Sequence, residues 1–219
     1  MEKRAEKLIA GLEERLRFFS QIGIDFVSMS NSKDISFHSL EERVLKCQEC
    51  ELSQGRTNAV PGEGSLKTEL MFVGEAPGRD EDIQGRPFVG RAGQLLTKII
   101  GAMEFDRKDV YITNVVKCRP PDNRNPHKEE IETCKNYLLE QIDMIKPRAI
   151  VALGKVAADF FIHSSQGMTA LRGNFHKFQD VQVMPTFHPS YLIRNEGNKS
   201  IKKMVWEDMK KVMAFLGKK

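Results

Sequence analysis

Four short apolar runs limit what this chain can fold into: "ELMFVG" at residues 69–74, "DVYITNVV" at 109–116, "PRAIVALG" at 147–154 and "VQVMPTF" at 181–187. They read as strands, and helical segments near 91–104, 126–145 and 155–163 fall between them. That alternation predicts an α/β protein of three layers, α/β/α, with a central, mostly parallel four-stranded sheet covered by helices on both faces. "GNFHKFQDVQVMPTF" adds a hairpin at one edge. A last helix over 200–216 closes the domain, with Ile201, Met204, Val205, Met209, Val212 and Met213 turned inward. At the other end Leu8, Leu12, Leu16 and Phe19 recur at helical spacing, and "SMSNSKDISFHS" reads as a polar linker. The organisation expected is a helical extension over 1–36 ahead of a main domain over 37–219.

At 219 residues with 40% hydrophobic content, the chain can bury one full core. Its formal charge is +4, but residues 190–219 hold eight Lys/Arg against three Asp/Glu, so the positive field sits at the C-terminal end. Such a segment is either the solvated face of a helix or a surface for a phosphate backbone. No window reaches the roughly 18 apolar residues of a membrane span, and the charged amphipathic N-terminus is unlike a signal peptide. A cytoplasmic protein is expected, and there four cysteines hold metal more readily than they form disulfides.

In open α/β sheets ligands bind beyond the carboxyl ends of the strands. Four unusual segments fall at those ends: "GEAPG", "TNVVKCRPP", "LGK" and "FHPS". The stretch "GEAPGRDEDIQGRPFVGRAG", Gly74 to Gly93, has the glycines that let a ligand approach backbone, but its acids argue against a simple phosphate cradle. "GEGSLKT" mimics a phosphate loop, yet Leu66 stands where that loop needs glycine and a strand follows where it needs a helix, so it reads as a turn-rich loop. No G-x-S-x-G elbow exists.

Asn114 closes a buried run, where its amide must find a partner; it offers an acceptor and a donor side by side, matching the N3–H and O4 edge of uracil. Phe88, between glycines, either packs its loop or stacks on a base. His188, made extended by Pro189, sits on a stiff loop able to donate to an oxygen on which charge develops, with Ser190 free to cap or turn the chain. Cys47 and Cys50 form C-x-x-C, while Cys118 lies in a strand-end loop and Cys134 on the helix that follows. Four thiolates from three segments suit structural zinc or an iron-sulfur cluster, and the spacing leaves both open.

Taken together, "GEAPG", "GRPFVGRAG", "TNVVKCRPPDNRNP", "HPS" and the cysteine spacing resemble the family-four uracil-DNA glycosylases, from about Cys47 to residue 216. The resemblance implies that Cys47, Cys50, Cys118 and Cys134 hold a structural [4Fe-4S] cluster. It also implies that Gly74, Glu75 and Ala76 wrap uracil with backbone, that Phe88 stacks on it, that Asn114 reads it and that His188 faces its O2 side. Glycosidic cleavage leaves negative charge on the ring and oxocarbenium character on the sugar. Of the acids near the sugar (Glu75, Asp80, Glu81, Asp82), Glu81 is the one favoured to help catalysis. Arg194, Lys199, Lys202 and Lys203 are the expected phosphate contacts, with "YLI" at 191–193 as a wedge into single- or double-stranded DNA. "CRPPDNRNPH" lacks the basic insertion of the branch that links covalently to its product, so turnover is expected. The extension either packs as an extra helix or docks a replication or repair protein; a monomer is expected. The competing reading is a non-catalytic iron-sulfur module that binds DNA or nucleotide.

Overall fold

The computed structural model describes residues 32–218; the helix expected over 3–19 lies outside them. The second half of the expected linker is helical instead: α1 spans Ser32–Lys46. Phe37, Leu40 and Val44 recur at spacings of three and four and are buried, a single apolar stripe hidden among polar neighbours in the sequence.

The four expected strands are present: β2 (Leu70–Gly74), β3 (Tyr111–Asn114), β4 (Ala149–Leu153) and β6 (Val181–Thr186). All pair in parallel. Among the described residues the sheet nevertheless has six strands, β1 (Glu63–Gly64) and β5 (His176–Phe178) being the added pair, in the order β1-β3-β2-β4-β6-β5. At one edge β5 pairs antiparallel with β6, as the hairpin reading anticipates. At the other, β1 pairs antiparallel with β3, inside the segment read as loop. A two-residue strand that itself ends in glycine carries no strand periodicity, so the pattern gives no sign of it.

Both faces are covered. Along β2, Leu70 and Phe72 pack on one side and Met71 and Val73 on the other, the two-residue period of a sheet buried on both faces. The first side meets α4 (Arg91–Ala102) through Leu96 and Ile100, and α9 (Lys199–Phe215) through Ile201, Val205, Met209, Val212 and Met213. Met204, expected inward, is instead 37% exposed. The second side meets α1, α5 (Lys128–Ile145) and α6 (Lys155–Ile162), through residues such as Leu138, Ile142, Ala158 and Phe161. Between these lie the short helices α2 (Leu52–Gly55), α3 (Arg79–Gln84), α7 (Met168–Leu171) and α8 (Pro189–Arg194). No helix among the described residues is long and apolar enough to cross a membrane.

Candidate active site

The parallel strands end at one edge, where a cleft of about 690 Å³ opens. It is lined by Glu75, Ala76, Glu81, Phe88, Asn114, His188 and Arg194, which the sequence had scattered over 120 positions, and also by Asn123, Lys155, Phe187 and Tyr191.

The register places Gly74 of β2 directly beside Asn114 of β3. A Cβ on Gly74 would stand 2.4 Å from Asn114 Oδ1 and 2.5 Å from Phe88 Cζ, so only glycine leaves these two side chains their places. Asn114 is 1% exposed, and its Oδ1 is the one buried side-chain nitrogen or oxygen among the described residues without a hydrogen-bond partner. A buried unpaired carbonyl costs roughly 1–3 kcal/mol, a cost that a ligand N–H would remove.

Phe88 is held in a conformation that bulky residues rarely adopt, with φ of 50°. Three residues impose it. Glu81 accepts hydrogen bonds from the amides of Val89 at 2.9 Å, Gly90 at 3.0 Å and Gly78 at 3.1 Å. Arg107 donates to the Pro87 carbonyl at 2.6 Å and is itself paired with Glu63 of β1. Gly93 in the first turn of α4 lies so close that a Cβ would fall 1.8 Å from the Phe88 carbonyl oxygen. The Phe88 ring thereby stands 5.7 Å from the His188 ring, tilted by 34°.

These bonds change the reading of the acids. Glu81 has both carboxylate oxygens engaged by backbone amides, which makes it the clamp of the Phe88 loop. Asp82 is buried and spent on the amides of Thr57 and Asn58. Asp80 is exposed and outside the cleft lining. Glu75 lines the cleft, makes no side-chain hydrogen bond among the described residues, and has its pKa raised by burial. It is the carboxylate with free oxygens in the cleft.

His188 caps α8, a role expected of Ser190. Its Nδ1 accepts the Ser190 amide at 3.1 Å and lies 2.8 Å from Ser190 Oγ. Because Nδ1 is an acceptor there, the neutral ring carries its proton on Nε2. Burial, with the nearby Arg194 charge adding to it, pulls the imidazole pKa down to about 4, so the ring is neutral at physiological pH. Beneath this loop, Thr186 at the end of β6 donates to buried Asp208 at 2.6 Å, and Arg172 reaches the same carboxylate from Nε at 3.0 Å.

Of the expected phosphate contacts only Arg194 reaches the cleft. Lys202 lines a separate groove with Arg91 and Lys98, Lys203 lies in another beside Arg172 and Lys211, and Lys199 is exposed at the start of α9. Within "YLI", Leu192 is buried and Ile193 faces the neighbouring groove, leaving Tyr191, 37% exposed, at the cleft rim.

All four cysteines line one small cavity of about 10 Å³, and none is in a disulfide. Arg56 Nη1 is 2.9 Å from Cys118 Sγ, and the Lys117 amide is 3.4 Å from Cys134 Sγ, the N–H···S bonds that steady thiolates. The donor set fits an iron-sulfur cluster. Among the described residues no three His, Cys, Asp or Glu side chains form a group placed to hold a single metal ion.

An α/β/α sandwich with an unpaired amide, an aromatic ring and a neutral imidazole converging at its strand ends defines a protein that holds a planar nucleobase-like ligand. The model of the uracil DNA glycosylase superfamily matches residues 61–210, and the chain belongs to that superfamily. It is 50% identical over 181 residues to a type-4 uracil-DNA glycosylase of Thermotoga maritima, covering 82% of this chain and 94% of that one. It is 46% identical over 187 residues to a type-4 enzyme of Sulfurisphaera tokodaii, covering 81% and 83%. For the type-4 enzyme of Saccharolobus solfataricus the figures are 43% over 189 residues, covering 82% and 86%.

Proposed function

We propose that this chain is a DNA-repair glycosylase that flips uracil, the product of cytosine deamination, out of single- or double-stranded DNA and hydrolyses its N-glycosidic bond, leaving an abasic site. The observation that carries this reading is the orphaned Asn114 Oδ1 in the cleft, an acceptor waiting for an N–H. In this reading residues 37–219 are the catalytic domain, acting as a monomer, and residues 1–36 are an extension that packs as a helix or docks a repair partner.

The flipped ring lies between backbone of Gly74 to Ala76 and the Phe88 face. Asn114 Oδ1 accepts from N3–H while Nδ2 donates to O4. As the bond from N1 to the sugar lengthens, charge gathers on O2, where the His188 Nε2–H donates. Glu75 faces the developing oxocarbenium and orients water; Glu81 acts indirectly, by holding Phe88. Tyr191 fills the gap in the stack, and Arg194 meets phosphate, with Lys199, Lys202 and Lys203 on flanking surface. Cys47, Cys50, Cys118 and Cys134 hold a [4Fe-4S] cluster, which supplies a structural staple between three chain segments.

The direct test is alkali-dependent cleavage of end-labelled DNA carrying one uracil. Breaks at the uracil support the reading; no breaks with DNA binding retained would return the protein to the non-catalytic module. The acids separate kinetically. Glu75→Gln should lower kcat by about tenfold or more with KM nearly unchanged, since its charge is felt in the transition state. Glu81→Gln should raise KM through a loosened Phe88 loop. Equal kcat losses would put Glu81 back among the catalytic groups.

Cluster occupancy is checked without activity: purified protein should carry visible absorbance and iron, and Cys134→Ala should lose both. An iron-free, colourless wild type would refute the assignment.

A further inference from the structure

Lys117 is 1% exposed, although "TNVVKCRPP" gives no hint that its lysine points inward. A buried amine is costly unless its donors are answered. Its three donors are answered: Nζ lies 2.7 Å from Thr113 Oγ1, 2.8 Å from the Asn114 carbonyl and 2.8 Å from Gln141 Oε1. These acceptors are neutral, and they are themselves fixed. Thr113 Oγ1 and Gln141 Nε2 both donate to the Pro61 carbonyl at 2.8 Å. Its charge has no carboxylate partner among the described residues. Burial pulls its pKa down to about 7, and the nearby sulfurs of Cys134 and Cys118 act in the opposite direction. Cys118 is its chain neighbour, and its own amide bonds Cys134 Sγ.

One residue therefore spans two sites. Its backbone amide bonds the Cys134 sulfur, and its Nζ bonds the peptide that carries the cleft's orphaned amide. That peptide is also tied to the first motif, because the Val115 amide bonds the Gly74 carbonyl at 2.9 Å. We infer that Lys117 is a positioning residue that couples the four-cysteine site to Asn114, so that the state of the cluster is felt as uracil affinity. The inference rests on the uracil and cluster assignments proposed above. Its physical basis is that a fully satisfied buried network is rigid, whereas a network that loses one member leaves the rest unpaired and free to shift.

The test uses the iron-loaded enzyme and free uracil as the probe, with three readouts: the inhibition constant of uracil, binding to uracil-free DNA, and the rate of iron release to a chelator with and without uracil. For Lys117→Met the expected result is an inhibition constant raised about tenfold, because the Asn114 peptide loses the buried hydrogen bond that fixes it, with uracil-free DNA bound as before. Saturating uracil should slow iron release from wild type and leave release from Lys117→Met unaltered. A purely structural lysine would lower the melting temperature and leave the inhibition constant of the folded protein where it was; that result overturns the inference, as does iron release from wild type that ignores uracil. Should Lys117→Met fail to fold, Gln141→Met removes one Nζ acceptor from a helix that does not line the cleft. A rise of about threefold in the inhibition constant supports the coupling and no rise overturns it. Iron content of wild type keeps the two ideas apart: iron-free wild type that still excises uracil removes the cluster assignment and the coupling while the glycosylase stands.

Discussion

Asn114→Ala should lower kcat/KM on uracil-containing DNA by about 10²–10³-fold while leaving the melting temperature close to that of wild type. Both halves follow from one atom. Oδ1 is buried and has no partner in the ligand-free protein, so the fold gains nothing from its hydrogen-bonding capacity and bears its desolvation. Removing it relieves that cost, which offsets the small cavity left beside Gly74 and Phe88. In the complex the same atom meets the N3–H of uracil, and the Nδ2 beside it meets O4, so the variant forfeits two hydrogen bonds at the base-reading edge. Steady-state excision and a thermal melt on the same preparation settle it. A variant that melts several degrees lower yet excises uracil normally would mean that Asn114 is a packing residue and that the base is read elsewhere.

Much of this was legible in the chain because strands that are buried on both faces leave continuous apolar runs, and because a ligand site in such a sheet must lie where those runs end. Gly74, Asn114 and His188 sit at or just beyond such ends, and Phe88 lies in the glycine-rich stretch that follows the first of them, which is why the sequence gathers them into one cleft. What escaped it was pairwise. Glu81 stands in an acid-rich loop and looks available for chemistry; only the fold shows its oxygens taken by the amides of Gly78, Val89 and Gly90. Glu75 looks no different in sequence but keeps its oxygens free. Lys202 and Lys203 follow Arg194 closely in sequence, yet they stand on the next helix, α9, which carries them to other grooves. β1 was missed because two residues have no period, and α1 because its apolar stripe is thin against a run of serines. Arg107, which secures the Phe88 loop from 20 residues away, and Gln141, which secures Lys117, leave no local signal at all.

The second large effect concerns His188. His188→Gln should reduce kcat by about 10²-fold, since it removes the imidazole Nε2–H that donates to O2 as charge builds there, and the pH profile distinguishes this role from that of an ordinary histidine. The ring's folded pKa is about 4, below the usual 6.5, because burial and then the neighbouring Arg194 charge disfavour its charged form. Wild-type kcat should therefore show no inflection near pH 6.5 on going from neutral pH down to about 5. Stability should carry the complementary signature. A group whose folded pKa is depressed contributes fully above its unfolded value and loses that contribution as pH falls through the interval, here from about 6.5 toward 4. Acidification across that window should cost wild type more of its melting temperature than it costs His188→Gln, even though the variant starts lower at neutral pH. An inflection in kcat near 6.5 that vanishes in His188→Gln, with parallel losses of stability in the two proteins, would mean that the imidazole is solvated and charged in the cycle. Oxyanion stabilisation by a neutral donor would then have to be replaced by an ion pair with the leaving uracil.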